Sequence, residues 1–236
     1  MRRGGGTFDR FEVRLTGALA AVVVPLLAAS MACGPSAPQG PTATIPSFTL
    51  PPEWTPTTSF VAASVPGWTR FAGNGVAVML PPSYEGGDPS GLAPELIDVL
   101  DQVPEGASIA EAIRQNPASY RLIAIDRAND SILAVTLRDL PADVSMAEYV
   151  DAIGAAIVEQ TPGTSVIQKG VIPFRDGEAS WLLLEFALGE AVSWQLSYGV
   201  RQGAQVWTFN YSAAREDYPQ LQPVFDQSLQ TVQFLP

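Results

Sequence analysis

Histidine is absent from this chain of 236 residues, cysteine occurs once, as Cys33, and lysine once, as Lys169. Without histidine there is no Ser-His-Asp triad, no Cys-His pair and no His-ligated zinc. A single cysteine forbids an internal disulfide and a cysteine-rich metal centre. No glycine-rich phosphate loop precedes Lys169, and nothing in the sequence calls for a cofactor. Charge is also sparse and lopsided, with 13 Lys+Arg against 24 Asp+Glu. Residues 1–32 hold Arg2, Arg3, Arg10 and Arg14 against Asp9 and Glu12, so the remainder carries 9 basic and 22 acidic side chains, a net −13. That sign repels nucleic acid, which is excluded as a partner. Among catalytic devices, paired carboxylates are the main one left.

What is present begins with an address. Four arginines precede the apolar run 15–32, which ends in Ser30-Met31-Ala32. A basic start, an apolar run and a small-x-small end predict a secretory signal peptide over 1–32. The other reading is a retained anchor, for which 18 residues containing Pro25 are of marginal length. Cys33, followed by Gly34-Pro35, resembles the modified cysteine of bacterial lipoproteins. Ala32 fits the preceding motif, whereas Ser30 and Met31 depart from its usual residues. The resemblance implies cleavage before Cys33, a diacylglyceryl group and palmitate on it, and anchoring at the outer, extracytoplasmic side of a cell membrane. Residues 34–67, with eight prolines among Thr and Ser, cannot form a core. They predict a PPII-like tether over 33–65, spanning roughly 100 Å at most at ~3.1 Å per residue. Trp54 is the exception to a purely solvated tether, a side chain suited to docking on a folded head.

The head, 66–236, reads as strands and helices in alternation. Asn74-Gly75 joins two apolar stretches, a strong hairpin signal. Residues 85–118 read as an insertion with two short helices, the first opened by Pro94 and the second capped by Ser108 and Glu111. Residues 120–125 and 132–138 form a strand pair around the turn Asp126–Asp130, whose acids lack calcium-loop spacing. Ser145 and Glu148 form a capping box before Met146, Tyr149, Val150, Ile153 and Ile157, an apolar stripe at helical spacing. Four strands follow, over 166–174, 179–188, 191–200 and 205–212, with turns predicted at Asp176-Gly177, Gly189-Glu190 and Gln202-Gly203. A last helix carries Leu221, Val224, Phe225 and Leu229, and Val232 and Phe234 continue the chain.

Antiparallel strands interrupted by amphipathic helices predict an α+β sandwich: a sheet of about six to eight strands with helices packed on its faces. The early hairpin, the helix after the fourth strand, the long meander and the ending Val224-Phe225-Asp226-Gln227-Ser228-Leu229-Gln230-Thr231-Val232-Gln233-Phe234 resemble the PsbP-like fold family, which includes PsbP and LpqN-type bacterial lipoproteins. The resemblance covers about 66–236 apart from 85–118. It implies an αβα sandwich, an extracytoplasmic setting, and an adaptor or assembly role rather than catalysis.

Strand alternation separates two faces. One carries the predicted rows Ile172-Trp181-Tyr198-Trp207, Leu183-Leu196-Phe209 and Glu185-Trp194-Tyr211. The other, on the last two strands, carries Ser193, Gln195, Ser197, Thr208, Asn210 and Ser212 and reads as solvent-facing or as the wall of a wet cavity. The aromatic face reads either as core beneath a helix or as a groove for an apolar or glycan ligand. As a groove, its binding residues would be Trp181, Tyr198, Trp207, Glu185, Trp194 and Tyr211. Glu185 would be buried among aromatics, with a raised pKa, or wet at the sheet rim.

Three functions compete. The first is a non-enzymatic, membrane-tethered adaptor whose partner is an envelope protein or small ligand. The second is a carrier of an apolar or glycan ligand on the aromatic face. The third is a carboxylate-based hydrolase, which needs two acids about 5–10 Å apart across a cleft.

Overall fold

The computed structural model describes residues 64–89, 97, 98, 100, 106–188 and 191–236. The expected signal segment, Cys33, Trp54, nearly all of the expected tether, Pro94 and the expected turn Gly189-Glu190 lie outside the described residues. In chain order the elements are β1 (Thr69–Gly73), β2 (Val76–Leu80), β3 (Tyr84–Gly87), α1 (Gly106–Gln115), β4 (Tyr120–Asp126), β5 (Ser131–Asp139), α2 (Met146–Gln160), β6 (Thr164–Phe174), β7 (Gly177–Leu188), β8 (Ala191–Gln202), β9 (Gln205–Ala214), α3 (Tyr218–Gln230) and β10 (Gln233–Phe234).

Local sequence explains most of these. Gly73 pairs with Val76 across Asn74-Gly75, where Gly75 takes φ 82°. The α2 capping box forms as predicted. Ser145 Oγ accepts from the Glu148 N–H at 3.2 Å, and the Ser145 N–H donates back to Glu148 Oε2 at 2.8 Å. The Asp126 carboxylate caps its own turn, accepting from the Ala128 N–H at 3.0 Å, from Ser83 at 2.9 Å and from Asn129 at 3.1 Å. α1 begins at Gly106, two residues before the expected cap Ser108.

The strands form two antiparallel sheets, β1-β2-β10 and β3-β4-β5-β9-β8-β7-β6. Packing is in three layers. The near face of the seven-stranded sheet meets the small sheet and α3, in a core that joins Phe71, Val78 and Leu80 to Tyr211, Phe225 and Leu229. The far face carries α1 over β4–β5, through Ala110 and Ile113 on Ile123, Ile125 and Ile132, with Leu100 in the same cluster. It also carries α2 over β6–β7, through Val150 on Leu182 and Leu184. Burying a side chain of this size contributes about 1.5–3 kcal/mol. The α+β sandwich with helices on both faces is as the sequence predicts.

Two features differ from expectation. Residues 84–87, at the start of the predicted insertion, form an edge strand on β4. Within it, Gly86 is required for space and conformation. At φ 140° a Cβ on it would stand 2.2 Å from the Ile123 carbonyl oxygen.

The register of two hairpins is also two residues out from that predicted. Tyr198 faces Phe209, Leu196 faces Tyr211 and Val200 faces Trp207. Ile172 faces Ala179, and Trp181 faces Gly170. The loops are Gly203-Ala204 and Arg175-Asp176, each with its positive φ at the first loop position, 62° at Gly203 and 52° at Arg175. Arg175 holds that conformation although it has a Cβ. Its guanidinium donates to the Val232 carbonyl and lies over the rings of Phe174 and Phe234. A tertiary contact thus outweighs the turn preference of Asp176-Gly177. The predicted pairs across β7–β8, Trp181 with Tyr198, Leu183 with Leu196 and Glu185 with Trp194, form as predicted.

Candidate functional site

Of the six aromatic-face residues, four are packed into the near-face core. Tyr198 is 1% exposed, Tyr211 0%, Trp194 4% and Trp207 7%. Tyr211 stacks on Phe225 of α3 with centroids 4.9 Å apart, and its hydroxyl donates to Ser228 Oγ at 3.1 Å. The Tyr198 hydroxyl donates to Asp226 Oδ1 at 2.7 Å. Trp207 packs beneath Phe234 at 5.4 Å. Burial first, and then the Asp226 charge, raises the Tyr198 pKa well above its ordinary value; burial does the same for Tyr211.

Trp181 and Glu185 are half-buried. The Trp181 indole lies across Gly170, where an added Cβ would come within 2.8 Å of Nε1. Glu185 Oε2 accepts from Trp194 Nε1 at 2.9 Å and pairs with Arg215 at 3.6 Å. Arg215 in turn lies 5.8 Å from the Trp194 ring centre. Glu185 is neither buried among aromatics nor simply wet at the rim: half-buried, its carboxylate braces an indole and an arginine.

The far face holds a different arrangement. Between the apolar patch under α1 and that under α2, the middle of the sheet is polar. Its rows run Gln195–Ser212, Ser197–Asn210 and Gly199–Thr208, with Thr136 of β5 beside Thr208. None of these side chains is charged. Ser193, Ser197, Ser212 and Thr136 are buried, whereas Gln195, Asn210 and Thr208 are half-buried and reach solvent.

A hydrogen-bond network fixes them. Ser197 Oγ donates to Asn210 Oδ1 at 2.7 Å, and Gln195 Nε2 donates to the same oxygen at 3.3 Å and to Ser197 Oγ at 2.9 Å. Asn210 Nδ2 donates to the Ala134 carbonyl at 3.4 Å, and Ser212 Oγ donates to Gln195 Oε1 at 3.5 Å. At the α2 side Tyr149 and Thr208 share a hydroxyl–hydroxyl bond of 3.1 Å. The helix comes this close because the sheet presents Gly199 below it, where a Cβ would meet Tyr149 Cε1 at 3.0 Å. Sequence alternation placed these residues together on one face. It did not show that two helices would flank them, although the run of uncharged polar residues in so acidic a chain was the available signal.

In chemical terms the strip offers donors and acceptors of fixed direction and no nucleophile paired with a base. Among the described residues no group of three or more Cys, Asp or Glu side chains is placed to hold a metal ion. No helix among them is long and apolar enough to cross a membrane.

No protein-family model matches the chain, and no curated protein matches it in sequence. Solved structures do match in shape. Cyanobacterial PsbP from Synechocystis sp. PCC 6803 superposes with TM-score 0.50 at 14% identity, covering 76% of this chain and 99% of that one. LpqN of Mycobacterium tuberculosis, described as involved in cell envelope biogenesis, gives 0.43 at 11%, covering 68% and 83%. The Ran-binding protein Mog1p of Saccharomyces cerevisiae gives 0.45 at 8%, covering 71% and 96%. At these identities the likeness is one of fold, and the latter two, with TM-scores under 0.5, add nothing to it. The fold is PsbP-like.

Proposed function

We propose that this protein is a lipid-anchored, extracytoplasmic binding domain rather than an enzyme, with the far-face strip as its binding surface. The observation that carries the reading is the strip itself: uncharged amides and hydroxyls, locked by one another and half open to solvent between two helices. Such a surface recognises and does not react. Acids at the sheet are engaged structurally: Asp126 in its turn, Asp226 under Tyr198 and Glu185 between Trp194 and Arg215. A hydrolase would need two carboxylates facing across a cleft. The anchor reading rests on the basic and apolar start, Cys33 and the proline-rich tether.

Two experiments test the parts. Cys33→Ser is expected to move the protein from the membrane fraction to the soluble one; an unmodified thiol on the mature protein would refute the anchor. Affinity capture from envelope extract is expected to retain a component that a Gln195→Ala/Asn210→Ala variant loses. Retention of the same component by the variant would remove the strip as the binding surface.

A further inference from the structure

We infer that the strip takes a neutral polyhydroxyl ligand, a short saccharide lying across β8 and β9 between α1 and α2. This rests on the reading of the strip as a binding surface and names the chemistry that would fill it.

Hydrogen-bonding capacity is the first ground. Asn210 Oδ1 accepts two bonds and both Gln195 Nε2 protons are used, so those groups are spent within the network. Asn210 Nδ2 makes one bond, to Ala134, and keeps a second proton; Gln195 Oε1 accepts one bond, from Ser212, and keeps a lone pair. Ser212 Oγ likewise keeps acceptor capacity. Side by side, the strip presents a donor and two acceptors of fixed direction. A sugar hydroxyl, which donates once and accepts twice, matches such a mixed set; a carboxylate or phosphate, which needs donors throughout, does not.

Charge is the second ground. No ionised side chain stands among Ser193, Gln195, Ser197, Thr208, Asn210, Ser212 and Thr136. A cationic ligand would find no counter-charge, and an anionic one would meet the field of an acidic protein. Two arginines flank the strip at one end, both in the row of Val206: Arg201 is committed to the carbonyls of Val144 and Pro141 at 2.7 and 2.6 Å, and Arg138 stands beyond Thr136 on β5, outside the β8–β9 rows.

Size and shape are the third. Ser193 to Ser197 spans about 14 Å along β8, and β8 to β5 about 10 Å across, the footprint of a small oligosaccharide rather than a protein domain. Tyr149 stands at the α2 edge, half-buried, with its hydroxyl on Thr208. It gives one wall an aromatic ring beside the polar floor, the pairing of apolar body and polar tip that suits a sugar ring.

The test uses the full chain in a non-glycosidic detergent, titrated with trehalose, maltotriose and chitobiose and followed by backbone amide NMR. The expected result is millimolar binding of at least one probe, with shifts confined to 193–197 and 208–212. Asn210→Ala and Gln195→Ala are each expected to weaken it about three- to tenfold, the loss of one hydrogen bond. Ser165→Ala, on exposed β6, leaves it unchanged. A native amide spectrum for each variant without ligand establishes that it is folded. Shifts that map instead to Trp181 and Glu185 overturn the inference, as does the absence of binding by all three probes. If no saccharide binds but the double variant still loses its envelope component, the saccharide is wrong and the binding surface stands. If neither responds, both readings fail.

Discussion

The two faces of the seven-stranded sheet are built from the same strands, yet they solve opposite problems. On the near face, β8 and β9 present Trp194, Leu196, Tyr198, Trp207, Phe209 and Tyr211, and α3 and the small sheet cover them. On the far face the same two strands present Ser193, Gln195, Ser197, Thr208, Asn210 and Ser212, and the two helices stand to either side. The difference teaches where stability and recognition divide. Aromatics buried in a close-packed layer contribute free energy through area and contacts. Amides and hydroxyls left half open contribute little, but their fixed directions suit a ligand. Even the near-face tyrosines follow the rule, since the buried hydroxyls of Tyr84, Tyr198 and Tyr211 meet Ser131, Asp226 and Ser228.

The sharpest break of this comparison is a truncation on the near face. Trp207→Ala is expected to cost ~3–5 kcal/mol, the usual loss for a large aromatic in a core. Urea unfolding measures it, and a loss below about 1 kcal/mol would mean that the near face is an open groove after all.

Next in size is the response to alkali. Burial, reduced by the Ser131 hydrogen bond, pushes the Tyr84 pKa from 10.0 up to about 12. Tyr198, Tyr211 and Tyr218 are raised as well, with burial the largest cause in each. Because the folded values lie above the unfolded one, the stability they contribute is fully present below pH 10. It is lost as pH rises through the folded values, at about 1.4 kcal/mol per pH unit for each group. Tyrosinate absorbance is therefore expected to appear together with unfolding, not before it. Ionisation of these tyrosines near pH 10 in an intact fold would show the near face to be wet.

The smallest effect belongs to the far face. Asn210→Ala is expected to cost about 1 kcal/mol or less, since the site is half-open and water can replace the lost amide. Thermal unfolding at neutral pH measures it. A cost comparable to that of Trp207→Ala would erase the distinction between the faces and make the strip a second core.

Much of this was legible in the sequence, for reasons that particular residues show. The Ser145–Glu148 box and the stripe Met146, Val150, Ile153 act within a few turns of one helix, so spacing alone locates α2. Tyr198 and Asn210 were assigned to opposite faces correctly even though two hairpin registers were two residues out. A strand repeats every two residues, and an even error keeps every side chain on its face. β3 was hidden inside the expected insertion because Gly86, which weakens a strand pattern, is there for close approach to the Ile123 backbone. β10 was hidden because two residues have no period.

By itself the sequence determined the faces of the long strands and the amphipathic helices, because these follow from periodicity and capping along the chain. It also determined what chemistry is excluded, because absent side chains cannot be supplied by folding. Only the tertiary structure decided which residues stand opposite each other across the β6–β7 hairpin, since Arg175 had first to find the Val232 carbonyl from 57 residues away, and it likewise set the β8–β9 pairing. It alone decided that Glu185 braces Trp194 and Arg215, and that the polar strip lies between two helices instead of under one. Those outcomes depend on how separate elements dock, and docking is settled by the total burial of many apolar side chains, which no local stretch of sequence contains.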